Sequence, residues 1–152
     1  MPHEYFEELN ISALKNSLIL LDVDGTLAPD NEYDFSEKVQ KKLRELHEHN
    51  EIFLCTNSRN RERTNQLEKI LEIPVLSSKY RKPSKKILRD LDQFHNKKIV
   101  VIGDKFLTDY LFAKNIGAEF VWVKRKISGN ERWWIRGYNF IDDVLSAFAR
   151  IW

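Results

Sequence analysis

The sequence predicts a three-layer α/β fold in which a parallel sheet carries helices on both faces. Three observations predict it. Short apolar runs of strand length alternate with stretches whose apolar residues recur at helical spacing, the pattern of parallel strands joined by crossover helices. Polar clusters stand directly after the apolar runs, where ligands bind in such sheets. A length of 152 residues, 42% of them hydrophobic, suits one domain, and the sequence holds no internal repeat or obvious linker.

The elements follow in order. Ser17–Leu21 (SLILL) reads as a buried strand. Over 35–49, Val39, Leu43 and Leu46 share one helical face. Residues 52–55 form a second short apolar run, and over Arg61–Leu71 the residues Leu67, Ile70 and Leu71 lie on one side of a helix. Residues 74–76 are a candidate third strand. The basic stretch 77–86 (SSKYRKPSKK) leads to Pro83, suited to the first turn of a helix continuing through Ile87, Leu88 and Leu91. Residues 99–102 (IVVI) are β-branched, hence a strand. Residues 107–115 are helical, Gly117 sits where that helix would stop, and 119–123 (EFVWV) is the last strand.

Composition excludes several classes. A net charge of +2 gives no whole-chain argument for nucleic acid. One cysteine, Cys55, rules out an internal disulfide framework and fits a reducing compartment. No apolar run reaches the ~18 residues of a membrane span, and the first residues carry acids without an apolar core, so no signal peptide is expected. The expectation is a soluble cytoplasmic domain, with Cys55 in its core and His47 and His49 on a solvated helix face.

Four polar clusters follow the strands: Asp22-Val23-Asp24-Gly25-Thr26, then Thr56-Asn57-Ser58, then Lys82, then Gly103-Asp104 with Asp109 beyond. Together they would bring four carboxylates, a hydroxyl and an ammonium to one sheet edge. Carboxylates so gathered take up protons or need a cation. All-oxygen ligands select a hard one, with Mg²⁺ the usual choice beside phosphate. Lys82, with Lys79 and Lys85 as rivals, adds a point charge. Thr56, Asn57 and Gly25 are candidate phosphate contacts, and Gly25 also permits a sharp turn and close backbone approach. Asp22 and Asp24, separated by one residue, can face the phosphorus and the leaving oxygen, which suits a nucleophile and a general acid.

DVDGTL, a later Thr, a Lys-Pro pair and GDKFLTD, in this order from Asp22 to Asp109, resemble the haloacid dehalogenase (HAD) superfamily of phosphotransferases. The resemblance implies a Rossmann-like domain and a role for each matching residue. Asp22 would be the nucleophile, forming an aspartyl-phosphate, and Asp24 the general acid and base. Thr56 would bind the phosphoryl group, and Lys82 would stabilise nucleophile and phosphate. Asp22, Asp104 and the Asp24 carbonyl would bind Mg²⁺, with Asp109 a further acid on the metal side, ligating directly or through water. FEELNISALKNSLILLDVDGTLAPDN, with GDKFLTD and GAEFVWVKRK, is similar to the YqeG-type branch (subclass IIIA), related to phosphatidylglycerophosphate phosphatases. That branch often has Asn at the position of Gly25.

Superfamily cap domains enter between the first and second motifs or between the second and third, and neither gap here has room for one. An open site suits a large phosphate ester, phosphatidylglycerophosphate above others. Nucleic-acid ends, a sugar phosphate, and a non-catalytic metal-binding scaffold are the alternatives. All four tryptophans, Trp122, Trp133, Trp134 and Trp152, lie late in the chain. From Lys124 onward six Lys/Arg face three Asp/Glu, and Phe140, Ile141, Val144, Leu145, Phe148 and Ile151 form one helical stripe. Residues 1–152 are read as one domain, with 127–152 a C-terminal helical appendage. Its stripe is expected to pack on the sheet, or else to make a peripheral contact with an anionic membrane.

Overall fold

The structure is a computed structural model that describes residues 2, 4–94 and 96–151. Four strands, β1 (Ser17–Leu21), β2 (Glu51–Leu54), β3 (Lys98–Gly103) and β4 (Glu119–Trp122), form an all-parallel sheet in the order β2-β1-β3-β4. β1 is buried along its whole length because it pairs on both sides, Ile19 opposite Ile52 on β2 and Val100 on β3. Its side chains alternate between faces. Ile19 and Leu21 join Val39, Leu43, Leu46 and Leu67 in one core, while Leu18 and Leu20 join Ile87, Leu91, Val101 and Phe112 in the other.

Helices cover both faces as expected. Helix α1 (Glu37–His47) is capped by Ser36, whose hydroxyl accepts from the Val39 N–H at 3.2 Å. Helix α2 (Arg61–Leu71) is capped by Asn60 in the same way. Both pack on the first core. Helix α3 (Leu111–Ile116) and a 3₁₀ helix over Lys85–Phe94 pack on the second. Gly117, at φ +69°, ends α3.

Two expectations need correction. Residues 74–76 add one bridge at the β2 edge, Leu54 to Val75, and no strand. Pro74 has no N–H, and the Val75 N–H is taken by the Glu68 carboxylate at 2.7 Å. Pro83 does not open an α-helix. It lies in a turn closed by the Ser84 N–H on the Arg81 carbonyl at 2.9 Å, and tighter 3₁₀ turns follow, which still bury Ile87 and Leu91. Residues 106–110 form a π-helical turn before α3, with the Asp109 and Tyr110 N–H groups both on the Lys105 carbonyl.

The stripe on the terminal helix α4 (Trp133–Ile151) is also not packed on the sheet. Phe140, Ile141, Val144, Leu145 and Phe148 are exposed, and the helix buries its other side, Ile135, Asp142 and Ser146. Trp152 and the Ile151 side chain lie outside the described residues.

The chain leaves β1 toward β2, then crosses back to β3 on the far side of β1. The strand order therefore reverses between β1 and β3, and the crevice beyond their carboxyl ends is where an α/β sheet holds its ligand.

Candidate active site

Asp22 follows β1 directly, its N–H donating to the Ile102 carbonyl at 2.9 Å as though the strand continued. The chain then turns. Thr26 and Leu27 N–H groups return to the Val23 carbonyl, and Gly25 sits at φ +88°. A Cβ on Gly25 would lie 2.7 Å from Asp104 Oδ2, so glycine is needed both for the turn and for the approach of Asp104. A Cβ on Gly103 would meet the Asp109 carboxyl at 2.4 Å. Two glycines thus make room for two carboxylates.

The floor of the cleft is a buried charge network. Asp22, Asp104 and Asp109 present oxygens within 4.8 Å of one another. Lys82, also buried, reaches Asp22 Oδ1 at 2.8 Å and Asp109 Oδ1 at 2.5 Å. The Thr26 hydroxyl lies 3.0 Å from Asp22 Oδ2 and 2.9 Å from Asp104 Oδ1 and shares its proton between them. Asp109 also accepts from the Lys105 N–H at 3.1 Å. Neither Lys82 nor Asp109 is the solvated side chain that a surface loop or helix would carry.

Opposed forces set the protonation of this floor. Burial pushes the Asp22 carboxyl up, but the ammonium groups of Lys82 and Lys105 bring it below the ordinary carboxylate range. Burial, with the Asp22 charge beside it, pushes Asp109 up to about 7 in spite of Lys82. Burial also raises Asp104. Lys82 opposes its own desolvation through Asp109 and Asp22 and stays charged. Burial takes the Cys55 thiol up to about 11, so it is inert packing at the end of β2.

The second cluster is placed differently from the simplest reading. Asn57 clasps the Lys82 backbone: its Oδ1 accepts from the Lys82 N–H at 2.8 Å, and its Nδ2 donates to the Lys82 carbonyl at 3.1 Å. Its carboxamide is therefore clamped on the Lys82 backbone, which leaves one Nδ2 hydrogen and the Asn57 backbone N–H for any phosphate contact. The Gly25 N–H is likewise engaged, by the Ala28 carbonyl at 2.8 Å, so what Gly25 supplies is space rather than a phosphate donor. Thr56 lines the cleft, its hydroxyl accepting from the Ser58 N–H at 3.1 Å.

Several residues escaped the sequence reading. Lys105 is foremost. Its ammonium bonds the Asp24 carbonyl, lies 3.1 Å from Asp104 Oδ1 and 3.9 Å from Asp22 Oδ2, and has Asp30 at 3.7 Å. A cation thus stands among the three oxygens assigned to a metal, and the donor set is all oxygen. These residues fit a hard divalent ion. Arg125 holds the other side of Asp104, Nε to Oδ2 at 2.7 Å, and reaches Asp142 and Asp143 on α4. Arg63 binds Asp24 Oδ1 at 2.5 Å, and Asn31 N–H donates to the same oxygen at 2.8 Å. Arg63 Nε and Nη1 are buried without a hydrogen-bond partner, while the guanidinium packs over the Tyr33 ring.

The cleft encloses about 570 Å³ between Asp22, Asp24, Thr56, Lys82 and Lys105 and a wall built by Trp134, Ile135 and Tyr138 of α4. A second cavity of about 590 Å³ shares Thr56, Asn57 and Ser58 with it and carries Arg59, Arg61 and Lys79. The family described as mitochondrial PGP phosphatase matches residues 4–128. The chain belongs to that family. It is accordingly a phosphatase, and the matched span holds Asp22, Asp24, Thr56, Lys82, Asp104 and Asp109 but stops short of α4. No curated protein and no solved structure matches the chain. No helix among the described residues is long and apolar enough to cross a membrane.

Proposed function

We propose that this phosphatase removes the terminal phosphate of phosphatidylglycerophosphate, with the Asp22 carboxylate as nucleophile. The observation that carries the reading is the Asp22 side chain at the β1/β3 crevice, kept ionised between Lys82 and Lys105. A carboxylate held charged in a buried cleft is ready to attack phosphorus. The family name supports the lipid substrate. So do the two neighbouring cavities, which share Thr56, Asn57 and Ser58: one takes the phosphomonoester, and the other, with Arg59, Arg61 and Lys79, has room and charge for the internal phosphodiester.

In this mechanism Asp22 attacks phosphorus, the ester P–O bond breaks, and the departing glycerol oxygen takes a proton from Asp24. Water then attacks the aspartyl-phosphate, gives its proton back to Asp24, and inorganic phosphate leaves. Both partners of the Asp24 carboxylate sit on Oδ1, so we assign the proton transfers to Oδ2. Lys82 offsets the charge between nucleophile and phosphate, and Thr56 with the Asn57 backbone holds phosphate oxygens. Asp22, Asp104 and the Asp24 carbonyl would hold Mg²⁺, which supplies positive charge against the phosphate oxygens when bound. Asp109, bonded to Lys82 and the Lys105 N–H, positions the cations from behind.

The family description sets its namesake in mitochondria, whereas composition pointed to a cytoplasmic chain. Either setting leaves the enzyme on the aqueous side of a bilayer. Phosphate release from phosphatidylglycerophosphate, glycerol phosphate, a sugar phosphate and a 5′-phosphorylated oligonucleotide, each with Mg²⁺ and with EDTA, tests the reading. The lipid should be hydrolysed fastest and EDTA should stop it. Faster turnover of the sugar phosphate or the oligonucleotide would overturn the substrate, and turnover undiminished by EDTA would overturn the metal.

A further inference from the structure

The exposed side of α4 is a surface without a partner among the described residues. The helix has 19 residues, about 28 Å of length. Ile135, Asp142 and Ser146 share its buried side, and Trp133, Trp134, Phe140, Ile141, Leu145 and Phe148 stand on the other. Trp133 is 84% exposed, Phe140 69% and Phe148 60%. A soluble surface rarely offers so much contiguous apolar area unless something covers it.

The position of this face decides among occupants. Trp134 belongs both to the bare face and, with Ile135 and Tyr138, to the wall of the catalytic cleft. The face is therefore continuous with the mouth of the site. Cations stand at that mouth and at the start of the helix: Arg81 in the cleft, Arg132 and Arg136 on the surface. The bare face itself carries no charge. Apolar and aromatic side chains bordered by arginines match a bilayer, with acyl chains under the helix and anionic headgroups at its edge. A second copy of the chain seated on the same face would stand across the mouth, where the substrate must enter.

We propose that α4 is a membrane-docking helix, lying in the headgroup plane of an anionic bilayer with Trp133, Phe140, Ile141, Leu145 and Phe148 in the acyl boundary and Trp134 at the cleft mouth. The proposal rests on the lipid-phosphate reading above and deepens it. Docking sets the open cleft against the headgroups, so the phosphomonoester reaches Asp22 without the lipid leaving the bilayer. The helix is held in that pose from inside. Asp142 accepts from the N–H groups of Phe106 at 2.9 Å and Leu107 at 2.7 Å, the start of the segment that carries Asp109.

Flotation of the intact protein with vesicles of phosphatidylcholine, and of phosphatidylcholine mixed with phosphatidylglycerol, tests it. The protein should float with the mixed vesicles at low salt. Phe140→Asn with Phe148→Asn, both far from the cleft floor, should weaken partitioning by roughly tenfold or more. The same variant should keep wild-type turnover of a short-chain, water-soluble phosphatidylglycerophosphate and lose a similar factor on the vesicle-embedded lipid. No flotation of the wild type with anionic vesicles overturns the proposal. So does a solution dimer that the variant splits, which would give the face to a second copy. If the protein floats but hydrolyses neither form of the lipid, docking stands and the substrate reading falls.

Discussion

The floor of the cleft and the outer face of α4 break opposite rules. In the floor, Asp22, Lys82, Asp104 and Asp109 bury groups that proteins keep in water; on α4, Trp133, Phe140 and Phe148 leave in water groups that proteins bury. The floor is compensated from within, since each buried charge meets an opposite one or a hydroxyl. The face of α4 has no such partner among the described residues, and in the proposed docking a bilayer would supply it from outside. A local rule broken with compensation marks a site, and one broken without it marks a surface meant to be covered.

The largest effect expected in the floor is catalytic. Asp22→Asn keeps the shape and removes the charge, so kcat on phosphatidylglycerophosphate should fall at least about 10³-fold while circular dichroism stays native. Retained turnover would remove Asp22 from the nucleophile role. Next is Lys82→Met, which leaves Asp22 and Asp109 buried without the ammonium between them. Chemical denaturation should show a loss of about 3–5 kcal/mol. Adding Asp109→Asn should recover part of it, and no recovery would mean that pairing is not what Lys82 contributes. Where the two regions meet, Asp142→Ala leaves the Phe106 and Leu107 N–H groups and part of Arg125 without acceptors, an expected cost of about 1–3 kcal/mol read from thermal denaturation.

Smaller effects follow in the floor. Lys105→Met removes the cation that stands among the proposed metal-binding oxygens, so calorimetric Mg²⁺ titration should show roughly tenfold tighter binding. Equal affinity would mean that Lys105 and the metal do not compete. The last effect is in pH, small per pH unit and accumulating across the range. Folded Asp109 holds its proton up to about 7, whereas its ordinary value is 3.8. Between those values the folded state binds more protons than the unfolded one, so stability without metal falls as pH rises, by up to ~1.4 kcal/mol per pH unit. Asp109→Asn should flatten that slope in denaturation curves.

Much of this was legible in the sequence because two local signals coincide. Strand runs such as SLILL and IVVI fix where the sheet edge lies, and the acids directly after them must then converge. The cations were harder to read. Lys105 stands inside GDKFLTD, yet adjacency to Asp104 does not say that its four-carbon stem folds back on the Asp24 carbonyl. Arg63 did leave a signal, since with Leu67 and Leu71 it falls on the buried face of α2 at spacings of four. Asp142 shares a helix face with Ile135 and Ser146 in the same way. The apolar stripe of α4 misled because periodicity shows that a helix has two faces and not which one meets the protein. Here the smaller, more polar face packs.

Arg125 has a consequence for how the chain can be divided. Its one guanidinium grips Asp104 with Nε and Asp142 and Asp143 of α4 with its other nitrogens. Alignment to the family ends at residue 128, which makes α4 look like a detachable extension. A cut there would take away every anchor of the Arg125 side chain except Asp104 and remove the Trp134–Tyr138 wall of the cleft. Grafting this domain onto another tail therefore means re-engineering its electrostatics, because the last helix is wired into the same circuit as the first aspartate.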